Sequence, residues 1–365
     1  MKSFKHLLTM AGAAAALMTC CMGGKPAAKT PPAPQPAAAM LRTILDTLQE
    51  DMIYSVGTLK TTSSVMQSFD FDPACDLIYY TQLNNQYRIY VSWGRPDSSY
   101  TEGFMELHYF GHGSNFSIEA EGDKRYIWIT NYASKGADDA YWQSQIVSRV
   151  PIEAGAVVKP WDTEENYYFG EKNIAVAADF ANGLLSTLNI SSGRMTTYRL
   201  DQMRALPVEE ITLEPLIYGG AKSPDPLTNA TLTVKARDCR RLTPVGEFTI
   251  TRTKGISWQG FDICGDLIYQ AQGNGNGTNY GTPSNGYVLI FKVDGTVVQP
   301  RTRVVALDNL RLLDSLGITD TGYMEPEGVK VRNGVMYCGY ANKNSQNVRR
   351  ATILKFSPAA VATPE

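Results

Sequence analysis

Five related segments recur along the chain, and this repeat limits the fold more than any other feature of the sequence. Each segment has the pattern of an apolar strand, a tight turn, an aromatic-rich strand, a loop and a third strand. The first strands begin near Phe69, Ile118, Ile174, Phe261 and Val329, and the second strands contain Tyr79, Trp128, Leu184, Tyr269 and Tyr337. These paired positions are ten residues apart in the first three segments and eight apart in the last two. Because both offsets are even, the same face of each strand pair stays inward.

The turns between these strands have the residue types of tight hairpins. They are Asp72-Pro73, Gly122-Asp123, Asn182-Gly183, Gly265-Asp266 and Asn333-Gly334. Third strands are predicted at 88–91, 145–148, 195–200, 287–293 and 352–356. A strand repeat of about 40 to 50 residues cannot cover its own apolar faces, so such repeats stack radially. The sequence therefore predicts an all-β fold, a five-bladed β-propeller.

Two features bear on how such a ring is completed. The gap between the third and fourth segments leaves room for a sixth blade, with extra strands at 231–234 and 248–251. The last segment ends after its third strand, which would leave an open sheet edge, and residues 53–59 are expected to supply the missing strand. Ahead of them, Leu41, Ile44, Leu45 and Leu48 have helical spacing and predict one N-terminal helix over residues 40–51.

The N-terminus has the features of an export signal. Lys2 and Lys5 precede an apolar run at 7–17 that is too short to span a bilayer, since a spanning helix needs about 20 residues. The sequence Leu17-Met18-Thr19-Cys20 resembles the lipobox of bacterial lipoproteins, which implies a lipid on Cys20. The chain is therefore expected in the bacterial cell envelope, anchored to a membrane by lipid only. Plain secretion is the alternative, and the periplasmic or surface face is left open.

These patterns divide the chain into four parts. Residues 1–20 are the signal peptide with its lipidation cysteine. Residues 21–39 form a Pro/Ala-rich linker, because such a composition cannot bury enough apolar surface to fold. Residues 40–62 hold the N-terminal helix and the ring-closing strand, and residues 63–365 form the propeller.

Four short motifs resemble a known family of propellers. They are Gln67-Ser68-Phe69-Asp70-Phe71, Tyr109-Phe110-Gly111-His112-Gly113 followed by Ile118 and Glu119, Trp258-Gln259-Gly260-Phe261, and Pro326-Glu327-Gly328-Val329. These motifs are similar to the β-propeller shared by staphylococcal phage receptor-binding proteins, teichoic-acid-associated proteins and helveticin-type bacteriocins. The resemblance covers roughly residues 64–356 and implies five blades and contact with envelope polymers. Members of the family differ in activity, so the resemblance does not assign a function.

Composition excludes several function classes. With 34 basic and 36 acidic side chains, the chain has no field that would collect nucleic acid. Only His108 and His112 follow the signal, too few histidines for a His-rich metal site, and we expect no metal or cofactor. Export allows disulfides, yet the spacing leaves open whether Cys75, Cys239, Cys264 and Cys338 are paired or free.

One repeated position points to a site. Two residues before each first strand the chain has Gln67, Phe116, Lys172, Gln259 and Glu327, which should surround one mouth of the central channel. Polar groups that converge on one concavity form a ligand site, although they could equally satisfy one another and a few waters. Two neighbours join the set: Trp258, and His112, which either faces the pocket or braces two blades. The predicted ligand-binding residues are Gln67, Lys172, Gln259, Glu327, His112 and Trp258.

Three functions remain on this basis. The first is a non-catalytic module that binds a glycan, an envelope polymer or a partner protein, and the scarcity of catalytic motifs favours it over an enzyme. The second is a carbohydrate-active hydrolase or lyase that uses Glu325, Glu327 and His112. The third is a structural scaffold of an envelope assembly, which would show an exposed apolar patch on the outer faces. An enzyme should place two or more carboxylates in one cavity, whereas a binding module should place aromatic and amide groups there.

Overall fold

The computed structural model describes residues 48–74, 76–85, 87–96, 100–135, 142–216, 231–276 and 283–356. These residues form five antiparallel-based sheets of four or more strands, and a two-stranded ribbon. The sheets are the blades of a propeller, so the predicted five-bladed all-β fold is confirmed.

Blades one and two contain the longest sheets. Blade one is built from β2 (Met66–Phe71), β3 (Ile78–Asn85), β4 (Arg88–Gly94) and β5 (Gly103–His108), with β11 (Val157–Val158) parallel to β5. Blade two is built from β6 (Phe116–Glu121), β7 (Lys124–Asn131), β10 (Ile146–Pro151), β12 (Glu165–Tyr168), β17 (Leu232–Asp238) and β16 (Val208–Leu213). The ribbon consists of β8 (Ser134–Lys135) and β9 (Trp142–Gln143).

Blades three, four and five have four strands each. Blade three is built from β13 (Ile174–Asp179), β14 (Leu184–Asn189), β15 (Arg194–Arg199) and β18 (Gly246–Thr249). Blade four is built from β19 (Trp258–Cys264), β20 (Leu267–Asn274), β21 (Asn285–Lys292) and β22 (Val297–Arg303). Blade five is built from β23 (Met324–Arg332), β24 (Val335–Lys343), β25 (Arg349–Phe356) and β1 (Ile53–Thr58).

The strands considered for a sixth blade complete two other blades. β17 is an outer strand of blade two, and β18 is the outer strand of blade three. The long gap between the third and fourth repeats is therefore filled by outer strands, because each open sheet edge gains hydrogen bonds from one more strand. At the other end of the chain, β1 pairs antiparallel with β25 and closes the ring.

Helices are few in the described part of the chain. They are α1 (Leu200–Ala205) and α2 (Leu310–Ser315), with 3-10 turns at Glu50–Met52, Pro160–Asp162, Cys239–Arg241 and Val305–Asp308. Residues 40–47 of the predicted N-terminal helix lie outside the described residues, as do the predicted signal and linker. The described end of that helix is instead a short 3-10 turn, with Leu48 buried against blades four and five. No helix in the described ranges is long and apolar enough to cross a membrane.

Hydrophobic contacts between blades use the residues that revealed the repeat. In each case the second-strand residue of one blade shares a hydrophobic cluster with the first-strand residue of the next. The pairs are Tyr79 and Ile118, Trp128 and Ile174, Leu184 and Phe261, Tyr269 and Val329, and Tyr337 and Phe69. The repeat thus encodes one apolar contact per blade interface, which is the radial stacking that a lone sheet cannot supply.

The cysteines are resolved in part. Cys239, Cys264 and Cys338 are free thiols, and Cys75 lies outside the described residues. Burial raises the pKa of the Cys264 thiol to about 11. A thiol that stays protonated at neutral pH is a poor nucleophile and metal ligand.

Candidate functional site

Three of the five innermost strands carry a β-bulge at the same place. In β2, β19 and β23 one residue has no partner in the strand ladder, and these residues are Gln67, Gln259 and Glu327. A bulge adds one residue and re-aims a side chain, and bulges concentrate next to functional sites. The polar position that recurs in the sequence is therefore a recurring backbone feature, which turns three polar side chains from separate blades towards the channel mouth.

The other two blades break this pattern. Phe116 pairs regularly with Ile129 in blade two and is fully buried. Lys172 precedes β13 and forms an ion pair with Glu214, and it does not line the cavity that the bulges surround. The structure therefore does not bring Lys172 together with the bulged residues: no bulge turns its long side chain inward, and a carboxylate is available at the surface. A role for Lys172 in ligand binding stays a prediction.

Glycine follows the bulge in two of these strands. Gly260 and Gly328 have φ values of +129° and +139°, which other residues rarely adopt. A Cβ atom on Gly260 would lie 3.0 Å from Asn115 Oδ1 and 3.2 Å from Gly328 Cα. The channel is therefore narrow at this point, where the backbones of blades four and five approach each other at Gly260 and Gly328. Asn115 holds the constriction together, since its Oδ1 accepts from the Phe261 amide at 3.2 Å and its Nδ2 donates to the Val176 carbonyl at 2.6 Å.

Charged side chains fill the channel beyond the constriction. Lys330 Nζ reaches across to the Phe116 carbonyl, 2.5 Å away, and lies 3.7 Å from the Asp262 carboxylate. Arg332 donates to Asp262 at 2.7 Å and also to Asp70. Each aspartate further accepts a backbone N–H at 2.8 Å, Asp70 from β6 and Asp262 from β23. Two acidic and two basic groups thus compensate one another, and they close off the space above them.

A cavity of about 650 Å³ lies above this floor and is lined by segments from all five blades. We call it the mouth cavity. Six of the residues singled out in the sequence line it: Gln67, His112, Trp258, Gln259, Glu325 and Glu327. A cavity of this size matches the range of about 300 to 1,000 Å³ that small ligands occupy.

Several polar groups in the mouth cavity lack protein partners. Within the described ranges, no hydrogen bond engages the amide of Gln67 or the carboxyl of Glu327, although Glu327 is only 5% exposed. Gln259 uses its Nε2 on the Gly273 carbonyl at 3.0 Å, which leaves its Oε1 available. Trp258 Nε1 is buried without an acceptor among the residues described. Gln67 and Gln259 are half-buried, so their unused amide atoms are accessible to a ligand that enters the mouth cavity.

The two carboxylates of the mouth cavity have different environments. Glu325 accepts a hydrogen bond from the Tyr323 hydroxyl. Burial, and then the negative charge of Glu325, raise the pKa of Glu327 well above its ordinary value. A neutral Glu327 can donate a hydrogen bond. Both groups belong to β23, so they lie on one wall, and no other carboxylate is among the described residues that line the mouth cavity.

Sequence reasoning missed Arg252 and Lys254. Both line the mouth cavity from the loop before β19 and are exposed, and neither has an ion-pair partner in the described part of the chain. The sequence signal that could have identified them is their position in the loop that leads into β19. A loop that leads into an innermost strand ends at the channel mouth, as residues 111–114 do before β6.

The fold is similar to that of several solved structures. The tail fiber of a Staphylococcus aureus phage matches with a TM-score of 0.56 and 13% identity, over 84% of this chain and 52% of the fiber, so the chain spans about half of that protein. A glutaminyl cyclase of Myxococcus xanthus has a TM-score of 0.40 at 12% identity, over 83% of this chain and 95% of the cyclase. An exo-β-1,3-galactanase of Phanerochaete chrysosporium has a TM-score of 0.39 at 8% identity, over 83% of this chain and 64% of the galactanase.

The comparison with the tail fiber bears on the fold. No family model matches the chain, and the search of curated proteins gives no match. The predicted resemblance to phage propellers agrees with the tail fiber at the level of the β-propeller fold. The links to teichoic-acid-associated proteins and helveticin-type bacteriocins stay predictions. Because one fold serves many activities, the function has to be argued from the mouth cavity.

Proposed function

We propose that this chain is a non-catalytic binding module whose mouth cavity takes a glycan or a segment of an envelope polymer. The observation that carries the proposal is the set of bulges that turn Gln67, Gln259 and Glu327 from three blades into one cavity. Rigid strands hold these groups, so little ordering entropy is lost when a ligand binds.

The chemistry of the mouth cavity fits a sugar. Amides both donate and accept hydrogen bonds, as sugar hydroxyls do, and a neutral Glu327 adds a donor without a net charge. Trp258 contributes an aromatic surface for the apolar face of a sugar ring. A mixed lining of this kind recognises a ring of hydroxyls better than it recognises a flat protein surface.

A second candidate function is glycoside hydrolysis, which the raised pKa of Glu327 favours. A carboxyl group that stays protonated at neutral pH suits a general acid. Hydrolysis also needs a second carboxylate across the scissile bond, at about 5 to 9.5 Å. Here Glu325 stands on the same strand, and the polar side chains described on the facing walls include amides, hydroxyls, His112 and two cations but no further carboxylate. The arrangement therefore supports binding better than cleavage.

The scaffold alternative has weaker support. Large exposed hydrophobic residues in the described ranges are scattered, with one in or beside each blade: Val157, Val208, Val245, Val297 and Val348. Single exposed residues of this kind are ordinary, whereas an assembly surface needs a contiguous patch.

A glycan-array screen of the full chain tests the proposal, followed by mass spectrometry of the bound glycan. We expect selective binding that weakens about tenfold in Gln67→Ala and in Gln259→Ala, since each loses one hydrogen-bonding group to a largely desolvated ligand. Lys172→Ala lies outside the mouth cavity and is the matched control. If the wild-type protein cleaves the glycan and the Glu327→Gln variant leaves it intact, the protein is a hydrolase instead. An array with no binding would remove the glycan proposal.

Anchoring to a membrane by a lipid on Cys20 is part of the same proposal and depends on the sequence alone. Leu17 lies three residues before Cys20, whereas the residue three before Cys21 is Met18. We therefore expect Cys20→Ser to move the chain from the membrane fraction to the soluble fraction, while Cys21→Ser leaves it with the membranes. Sedimentation of Cys20→Ser with the membranes would contradict lipidation at that residue.

A further inference from the structure

A second cavity, of about 670 Å³, opens at the opposite ends of the innermost strands, beside blades one and two. We call it the side cavity. It is lined by Tyr79, which follows the β2–β3 turn, and by residues 123–126 at the β6–β7 turn. The mouth cavity, by contrast, contains Gln67 near the start of β2. The two cavities share no lining residue.

Tyr79 places an unused hydrogen-bonding group in the side cavity. The residue is only 3% exposed, and no hydrogen bond to its hydroxyl is found within the described ranges. Burial, with the nearby charge of Asp72, raises the pKa of Tyr79 to about 12. The phenol therefore stays neutral at physiological pH and can donate a hydrogen bond. The hydroxyl keeps some accessible surface although the rest of the residue is buried, so a ligand in the side cavity can reach it and accept its hydrogen bond.

Trp93 supplies an aromatic surface beside this hydroxyl. Its ring centroid is 6.0 Å from that of Tyr79, with an interplanar angle of 35°. Gly103 is its partner across the β4–β5 pair, and a Cβ atom there would come within 2.4 Å of the indole. Only glycine lets the indole lie across β5. The sequence of β5 therefore fixes the orientation of Trp93, which remains partly exposed in the side cavity.

The walls of the side cavity add both basic and acidic side chains. Arg149 is held by Glu119 and Glu165 and stacks 3.4 Å from the Tyr126 ring centre, so its guanidinium is fixed and already neutralised. Exposed carboxylates on Glu153 and Glu164 have no ion-pair partner in the part of the chain that the structure describes. The lining residues include five acidic and three basic side chains, which disfavours an anionic ligand.

We propose that the side cavity is a second saccharide site, which takes one uncharged pyranose unit. The apolar face of the sugar would stack on Trp93, the Tyr79 hydroxyl would donate to a ring substituent, and the free carboxylates would accept from sugar hydroxyls. This inference goes beyond the mouth cavity and does not require that cavity to bind. With a site at each end of its strands, one propeller could hold two units of a polymer and gain avidity without new contacts.

Fluorine NMR of the full chain, labelled with 5-fluorotryptophan, tests this inference at both sites at once. The chain has five tryptophans, so each can report separately. Trp93 reports on the side cavity and Trp258 on the mouth cavity, while the fully buried Trp128 monitors the fold. Substitutions to Phe assign the resonances. The probes are neutral oligosaccharides of glucose, galactose, mannose and N-acetylglucosamine.

We expect at least one probe to shift the Trp93 resonance saturably. Tyr79→Phe should raise the dissociation constant read at Trp93 about tenfold, because one donated hydrogen bond is lost, and should leave the Trp258 response unchanged. Gln259→Ala should weaken the binding read at Trp258 and leave the Trp93 response unchanged. A Trp93 resonance that no probe moves overturns the second site, as does an unchanged affinity in Tyr79→Phe with a native Trp128 signal. A silent Trp258 resonance counts only against the mouth cavity.

Discussion

At residue 327 a carboxyl group is buried beside a second carboxyl group, which couples its protonation to folding. The folded-state pKa of Glu327 is raised above its ordinary value of 4.5, so the native state holds this proton more tightly than the unfolded chain does. As pH rises through the interval between the two pKa values, stability falls by about 1.4 kcal/mol per pH unit from this group.

Glu327→Gln removes that titration and should therefore stabilise the protein increasingly as pH rises above 4.5. Urea unfolding of the variant and the wild type at a series of pH values measures the effect. Glu50→Gln changes an exposed carboxylate and serves as the control. A difference between Glu327→Gln and wild type that does not vary with pH would show that Glu327 is ionised in the folded protein.

Lys330 is the least exposed cation of the channel network, at 1%. The network with Asp70, Asp262 and Arg332 has no net charge, and Lys330→Met would leave one negative charge uncompensated. We expect a loss of about 3 to 5 kcal/mol in the free energy of unfolding.

The double variant Lys330→Met/Asp262→Asn restores neutrality in the network. It should therefore cost less than the sum of its two single changes, and urea unfolding of all four proteins completes the cycle. Additive costs would mean that Lys330 contributes through packing alone.

Individual side chains were predictable from the sequence only in part. Gln67, Gln259 and Glu327 were found because they recur at one position of the repeat, and the bulge that aims them is the reason for that recurrence. Lys172 occupies the same position without a bulge, and no local sequence signal separated it from the others. The burial of Lys330 could not be predicted from the sequence, because its partners Phe116 and Asp262 belong to other blades and are distant along the chain.

Among the elements, the bulged strands impose the tightest constraint. Gly260→Ala would introduce a Cβ 3.0 Å from Asn115 Oδ1 at a φ of +129°. We expect a loss of about 2 to 3 kcal/mol, which combines backbone strain and crowding at the constriction. Gly183→Ala is the control, since it also has a positive φ but nothing within 4 Å of the added atom. Thermal unfolding measures both, and equal losses would show that the constriction tolerates a methyl group.

The hairpins were the predictable elements. Their strands are local in sequence, and turns such as Asn182-Gly183 and Asn333-Gly334 carry the positive φ values that tight turns require. The outer strands were not predictable in the same way. β17 adds to blade two from a distant part of the sequence, and β18 follows β15 only after a long excursion. Their partners are chosen by which sheet edge is open, and no local pattern records that choice.

For the molecule as a whole, the ring closure between β1 and β25 decides whether five blades form one cooperative unit. Gly57 in β1 faces the buried ring of Tyr100, and a Cβ atom at Gly57 would come within 2.2 Å of that ring. Gly57→Ala should therefore open the closure and cost about 3 kcal/mol.

Hydrogen exchange of the β25 amides tests this prediction. Exchange should rise in Gly57→Ala and stay slow in Thr58→Ala, which changes an exposed side chain of the same strand. Unchanged protection of β25 in Gly57→Ala would mean that the ring closes without a tight fit at this point.

Ligand binding in the mouth cavity is a property of the whole molecule, because the cavity is assembled from all five blades. The most direct measurement is a crystal structure of the full chain with the strongest glycan from the array. We expect an intact glycan in the mouth cavity, with hydrogen bonds to Gln67, Gln259 and Glu327. A mouth cavity that stays empty while the glycan binds elsewhere, or that contains a cleaved product, would contradict the proposed binding function.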